Sequence, residues 1–344
     1  DAEWKPSDLN LLEYQIGPND DMIRDMVFSR GARQRFVHYD LFFPNNRISL
    51  TLSGNYILKI EDAATGETVL TRRFYVVEES IAIQPRIKQA TQARYRFTHH
   101  EVDFDLLALD YNITNPYSDL QVHVFQNQRP DNAKYDLSPT FVKQNEIIYE
   151  YDDRNLFNGT NEFRFFDTRD LNYQALRTAS TQLINDTFNV FIIPDEVRSV
   201  RQYIDYGDIN GRYLIHRTDP RDIALIDAEY VWVHFTLPYP APLMNAGMFL
   251  YGEFTNWKFD PDYEMQYNSE LKAYTGKVLL KQGYYNYQYV FLEDGQTAGD
   301  ETLIEGNHYE TENDYTILVY HRDPGTYYDR LIGLTFLNSL TDRK

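Results

Sequence analysis

Met248-Phe249-Leu250-Tyr251-Gly252-Glu253-Phe254-Thr255-Asn256-Trp257 is the stretch on which the fold turns. Four apolar or aromatic residues come first, too few for a helix and rich in side chains that suit a pleated, half-buried surface. Gly252 then allows a tight turn, and a tryptophan follows in polar company. The segment predicts a short strand closed by a turn. Its neighbours repeat the pattern. Val231, Val233, Phe235 and Leu237 alternate with Trp232, His234 and Thr236, and further strands are expected at 274–280, 284–292, 315–320 and 332–337.

The same reading extends toward the N-terminus. Strands are expected at 23–29, 36–43, 50–52, 56–60 and 68–77. Further ones follow at 82–88, 102–109, 121–127, 146–151, 162–166 and 188–193. Turn chemistry separates them at Pro44-Asn45-Asn46, Thr65-Gly66, Asn115-Pro116, Arg129-Pro130-Asp131, Asp152-Asp153-Arg154 and Asn158-Gly159. Residues 198–217 read as a linker with one hairpin turned at Asn210-Gly211. Only 170–177 and 220–227 are candidate helices. The expectation is an all-β protein of tandem antiparallel β-sandwiches. It divides into an N-terminal β domain at 1–78, a middle sandwich with its linker at 79–215, and a C-terminal sandwich at 216–344. Asp1 opens directly into Trp4-Lys5-Pro6 with no basic-then-apolar leader, and the first domain is expected to begin before Asp1.

With 33 Lys and Arg against 52 Asp and Glu, the net charge is −19. Nucleic acid and anionic lipid would be repelled by such a surface, so no nucleic-acid partner is expected. No apolar run approaches the roughly 18 residues that a membrane-spanning helix needs. The absence of cysteine removes disulfides, thiol catalysis and zinc-thiolate sites. The 29 Tyr and 21 Phe agree with β structure.

Chemistry-bearing motifs are few. The nucleophile-elbow, zinc-protease, phosphate-loop and dinucleotide fingerprints do not occur. His99-His100-Glu101 is the densest ligand-like cluster. On a strand it would place His99 and Glu101 on one face and His100 on the other, and lacking further ligands it reads as a surface or turn element. Asp152-Asp153-Arg154-Asn155 lacks the spacing of a calcium loop and reads as a polar turn. Alternation places Arg72 with Leu70, Phe74 and Val76, so it is expected to pair with a carboxylate such as Asp25 or Asp40. Arg24, Arg30, Arg33 and Arg35 stand out in an acidic chain. They read as structural ion pairs or a solvated face, and alternatively as a patch for an acidic partner or lipid headgroups. No catalytic, cofactor or metal residues are assigned, and partner-binding residues stay open.

Two resemblances sharpen this. The 248–257 motif is similar to the immunoglobulin-like E-set modules, including glycogen-binding ones. In those, a tryptophan stacks on sugar and a second follows an Asp-Gly-Gln turn. Here Asp294-Gly295-Gln296 is followed by Thr297, and the position of a sugar-binding lysine falls near Gln288. Trp257 is therefore expected to pack a loop, with glycan binding by a β-sandwich module as the alternative function.

The second resemblance covers nearly the whole chain. It is carried by Asp1-Ala2-Glu3-Trp4-Lys5-Pro6-Ser7-Asp8-Leu9, Ile23-Arg24-Asp25, the stretch from Ser29 to Tyr39, Phe43-Pro44-Asn45 and Leu52-Ser53-Gly54-Asn55-Tyr56. It continues through Leu70 to Val77, His99 to Phe104, Tyr149 to Asp152, Glu162 to Asp167 and Leu250 to Trp257. In this order they resemble the plug proteins of the type IX secretion system of Bacteroidetes. The resemblance implies a periplasmic, non-enzymatic protein without cofactors, peripheral to the outer membrane. It implies a monomer within a heteromeric complex, which binds the periplasmic opening of a large translocon barrel and occludes the resting pore without itself spanning the membrane.

Overall fold

The structure, a computed structural model, describes residues 1–173, 175–219, 221 and 223–342. The chain is all-β, built from sheets that pack face to face around two main apolar cores. The N-terminal part holds six short strands: β1 (Gln15–Ile16), β2 (Asp25–Phe28), β3 (Val37–Asp40), β4 (Ser49–Leu50), β5 (Gly54–Glu61) and β6 (Thr68–Val76). They form three separate two-stranded ladders, β1–β4, β2–β3 and β5–β6.

The first sandwich begins with β7 (Ala82–Gln89), β8 (His99–Leu107), β9 (Leu120–Gln126), β10 (Arg129–Leu137), β11 (Phe141–Val142), β12 (Glu146–Tyr149) and β13 (Leu156–Asn158). The chain then leaves it for a nine-stranded sheet. That sheet contains β14 (Arg164–Asp167), β15 (Thr178–Ile184), β16 (Thr187–Ile192), β17 (Tyr213–Ile215), β18 (Tyr230–Pro238), β19 (Ala246–Tyr251), β20 (Glu264–Asn268), β21 (Ala273–Lys281) and β22 (Gly283–Glu293). Finally β23 (Asp314–His321) and β24 (Arg330–Asn338) return to the first sandwich, where β23 pairs along the whole of β9.

The second unit is thus inserted into the first. The boundary expected at 215/216 falls inside the nine-stranded sheet, between β17 and β18, and β14 and β17 both pair with β22 beyond it. The alternation expected at 231–237 is realised in full. Val231, Val233, Phe235 and Leu237 are buried, while Trp232, His234 and Thr236 are half-exposed. They meet Tyr285, Tyr287 and Tyr289 from the other end of the same sheet, so the sheet folds back on itself around one core. Burying each such side chain is worth roughly 1.5–3 kcal/mol.

Several local expectations need correction. The turn placed at Arg129-Pro130-Asp131 opens an edge strand, β10, where a proline is tolerated because its missing N–H faces away from the ladder. Asn210 and Gly211 do turn in the left-handed region, but no hairpin follows, because β17 pairs with β22. Of the two candidate helices, 220–227 is helical at Ala224–Asp227, with Pro220 and Asp222 outside the described residues. The described part of 170–177 is bend and turn, Gln174 lying outside the described residues.

His99-His100-Glu101 is no surface turn. It starts β8, which is paired on both edges, by β7 on one side and by β12 and β13 on the other. His100 and Glu101 are fully buried. His100 bonds the Tyr315 hydroxyl at 2.8 Å and the Tyr309 carbonyl at 2.7 Å. The carboxylates of Glu101 and Asp103 are held by Lys88 on β7, at 3.0 and 2.6 Å. The faces are as alternation requires; the burial was not visible because it depends on strands far away in sequence.

The two units meet through paired polar groups. Arg129 on β10 is buried against Asp131 at 2.8 Å and Glu301 at 2.9 Å, and the Tyr251 hydroxyl donates to Asp131 at 2.8 Å. The crossing segments lie side by side, with the His308 N–H donating to the Thr160 carbonyl at 2.9 Å. Residues 198–212, the larger part of the linker expected at 198–217, strap this crossing. Asp208 accepts from the Phe163 and Asn210 backbone N–H groups, the latter at 2.6 Å. Burial pushes the Asp208 carboxyl up to about 7, against those hydrogen bonds and with help from the nearby Glu162 and Glu312 charges. A carboxyl raised in the folded state binds its proton more tightly there than in the unfolded chain. Stability is therefore lost as pH rises from the ordinary carboxylate range through 7. We expect this group to withdraw about 2–3 kcal/mol of stability between pH 5 and pH 8. Urea titrations of Asp208→Asn should show a clearly shallower pH dependence; an unchanged slope would exclude Asp208 as its source.

Candidate interaction surface

Residues 1–78 bury only two apolar side chains completely, Ala2 and Ile48. This is a property of isolated two-stranded ladders: each has two open edges and lacks a third strand to complete a core. What holds the segment is its attachment at two places. At its base, Ala2 packs with Phe125, Leu318, Tyr320 and Leu331 on the outer face of the first sandwich. The Ala2 N–H donates to Asp329 at 2.8 Å, the Leu331 N–H to Ser53 at 3.0 Å, and the Tyr320 hydroxyl to Asn55 at 2.8 Å.

The second attachment is the loop between β2 and β3. Arg30 makes a two-pronged bond to Asp227, at 2.9 and 2.6 Å. Glu229 accepts from the Arg33 and Gln34 backbone N–H groups at 2.6 and 3.0 Å, and the Arg33 guanidinium pairs with Asp186. Phe36 packs edge-on against Tyr230 at 5.3 Å, with the Lys281 ammonium 3.9 Å from its ring centre. Arg30 and Arg33 are thus structural. Arg24 lies 3.5 Å from Asp21 on the surface and Arg35 is exposed. The four arginines do not form a single patch.

Between its anchored loop and its base, the β2–β3 hairpin stands uncovered. The register pairs Met26 with Tyr39 and Phe28 with Val37, so these four share one face. Met26 is 55%, Phe28 69% and Tyr39 57% exposed, and Phe42 just beyond is 78% exposed. Val27, His38, Asp25 and Asp40 form the opposite face. Solitary exposed apolar residues need no explanation, but a contiguous apolar face on a ladder with open edges is the chemistry of a docking surface.

The remaining site expectations resolve plainly. Arg72 bonds neither Asp25 nor Asp40. It is exposed, its guanidinium donating to the Thr71 carbonyl at 3.3 Å, because the β5–β6 ladder has no opposing sheet to bury that face. Trp257 is 8% exposed and packs with Phe163, Tyr251 and Val290, its ring so close to Gly211 that a Cβ there would lie 2.4 Å from it. It packs a loop, as expected, and presents no ring face for a sugar to stack on. Gln288 is fully buried. Asp152 to Arg154 form an exposed turn, and the Asn155 amide donates to the Val102 carbonyl at 2.9 Å. Among the described residues no group of three or more His, Asp or Glu is placed to hold a metal ion, and no helix is long and apolar enough to cross a membrane.

Residues 1–78, the segment bearing the exposed hairpin, match the family described as type 9 secretion system plug protein 1st domain. The chain is also similar to a solved structure, that of a hypothetical protein from Parabacteroides merdae ATCC 43184. The two are 35% identical, with a TM-score of 0.95 over 98% of this chain and 85% of that one. No curated protein matches.

Proposed function

Because this chain belongs to the type IX secretion system plug family, we propose that it is a periplasmic cap that binds the periplasmic opening of the translocon barrel. In the resting state it occludes the protein-conducting pore. The observation that supports this reading most directly is the coincidence of the family match with the segment that buries fewest of its own apolar side chains. A cap needs area and shape fit to its seat, and a reactive centre would serve no purpose in it. The partner is a large outer-membrane barrel, with this chain as a single copy beside it.

The strand, turn and tryptophan at 248–257 belong in this reading to an E-set-like scaffold whose sugar-binding surface is lost. The buried Trp257 supports that over a glycan-binding role. The occlusion reading is tested by reconstituting purified barrel in lipid vesicles and measuring leakage of a small fluorescent protein. Adding this chain should reduce leakage in proportion to occupancy. Leakage unchanged at confirmed binding would sink the gating claim while leaving the partnership standing.

A further inference from the structure

Away from the hairpin, a cleft of about 340 Å³ opens at one end of the first sandwich. It is walled by the loop before β8, by β13, by β10 and by the segment around Glu301. Two cations face it, Arg94 at the exposed rim and the half-buried Lys134 within. Among the described residues neither has a carboxylate within ion-pair distance, although the chain carries a net charge of −19. Arg94 donates to the Gln92 side chain at 3.0 Å and stacks on Tyr95, 4.4 Å from its ring centre. Lys134 lies 5.2 Å from the ring centre of Phe157.

An ammonium kept out of water beside an aromatic ring without a counter-charge is costly. Burial holds the Lys134 ammonium below the ordinary lysine range, outweighing the more distant Asp136. The acidic residues of the cleft do not relieve it. Glu301 is engaged by Arg129, and Asp153 sits at the exposed rim.

We propose that this cleft binds a monocarboxylate that carries an apolar body, as a free peptide C-terminus or an acylated amino acid does. The carboxylate sits between Lys134 and Arg94, and the apolar part lies against Tyr95, Leu156 and Phe157. One negative charge is the right complement. A dianion such as phosphate would face Asp153 and Glu301 as well as the two cations. The volume is at the lower end of the range for small-molecule sites.

The probe is N-acetyl-L-phenylalanine, titrated calorimetrically into the intact chain 1–344, with N-acetyl-L-phenylalanine amide as the uncharged control. The acid should bind with a Kd of about 1 mM or tighter and the amide at least tenfold more weakly. Lys134→Met keeps the unbranched stem, one atom shorter, and removes the partly desolvated charge, so the variant should fold with unchanged or raised Tm. It should bind the acid at least tenfold more weakly, and Arg94→Gln, at the rim, about threefold. An acetylated tetrapeptide with a free C-terminus distinguishes the source. Equal or tighter binding identifies a peptide end, and exclusion of the tetrapeptide identifies a small acylated acid. No binding of the acid at 20 mM, or equal binding by wild type and Lys134→Met, overturns the proposal.

Discussion

Glu305→Ala should lower the stability of this protein by about 3–5 kcal/mol, a large part of what a domain of this kind possesses. Glu305 ends the single-turn helix Thr302–Glu305 and is fully buried. Its carboxylate accepts from Arg164 Nε at 3.0 Å, from Arg198 Nε at 2.6 Å and from the Tyr289 backbone N–H at 2.9 Å. Burial alone would raise this carboxyl, but Arg164 and Arg198 outweigh it and hold it below its usual range. Removing the carboxylate leaves Arg164 with the Glu196 carbonyl at 2.8 Å and with Asp195 at 3.0 Å, a carboxylate it already shares with Arg177, Tyr287 and Tyr289. Arg198 is left with neutral partners, the Tyr206 hydroxyl and the Glu162 carbonyl. Breaking a buried pair costs far more than the pair contributes, because the orphaned charge stays desolvated.

The sign with pH follows. A carboxyl depressed in the folded state contributes stability that is present above its unfolded pKa and is lost as pH falls through the folded one. Wild type should therefore weaken on acidification below the ordinary glutamate range, and the variant should lack that part of the acid limb. Urea denaturation at pH 7 and pH 3, followed by tryptophan fluorescence, checks both. A loss under 1 kcal/mol at pH 7 would mean that water reaches the arginines and that the network is not the dry one described. Glu305→Gln, which keeps the shape and some acceptor capacity, should lose less than Glu305→Ala.

The contrast between this interior and the N-terminal segment explains what was legible in the sequence. Where one strand face is buried, burial imprints period two, as in Val231, Val233, Phe235 and Leu237, and such strands read directly. Edge strand β15 lacks that imprint, because most of Thr178–Ile184 is exposed or half-exposed on both faces, and it escaped notice. The insertion of one unit into the other was also hidden. Nothing local to Tyr315 says that its partner across the ladder is Gln126. The Glu305 network was invisible for the same reason, since Arg164 and Arg198 lie more than a hundred residues before Glu305. Trp257 was read correctly from the loss of its sugar-binding companions. The candidate docking face was not, because Met26-Val27-Phe28 has the composition of a core strand. Only the structure shows that, among the described residues, no third strand pairs with it.

That exposed face gives the second large effect. Phe28→Asp combined with Met26→Asp in the intact chain 1–344 should reduce capture of the solubilised translocon barrel by at least 100-fold while moving Tm by no more than about 2 °C. An aromatic anchor such as Phe28 at the centre of an interface contributes about 2 kcal/mol or more, and a charge set into a desolvated contact, at either position, adds a penalty of about 2 kcal/mol or more. Two such changes exceed the roughly 2.7 kcal/mol that a 100-fold loss represents. The small Tm shift follows from the exposure of both side chains, 69% and 55%, since little folded-state burial is removed. Asp25 and Asp40, on the opposite face, supply the control: Asp25→Asn should leave capture unchanged. The paired measurement separates the possibilities. A large fall in Tm would mean that another segment of the same polypeptide covers Met26 and Phe28, and the face is then internal packing. Unchanged capture at unchanged Tm would mean that the barrel is seated elsewhere, and the β5–β6 ladder, with Ile57 and Val69 exposed, becomes the next surface to alter. Loss of capture at constant Tm, with Asp25→Asn silent, is the result that a cap docking through this hairpin requires.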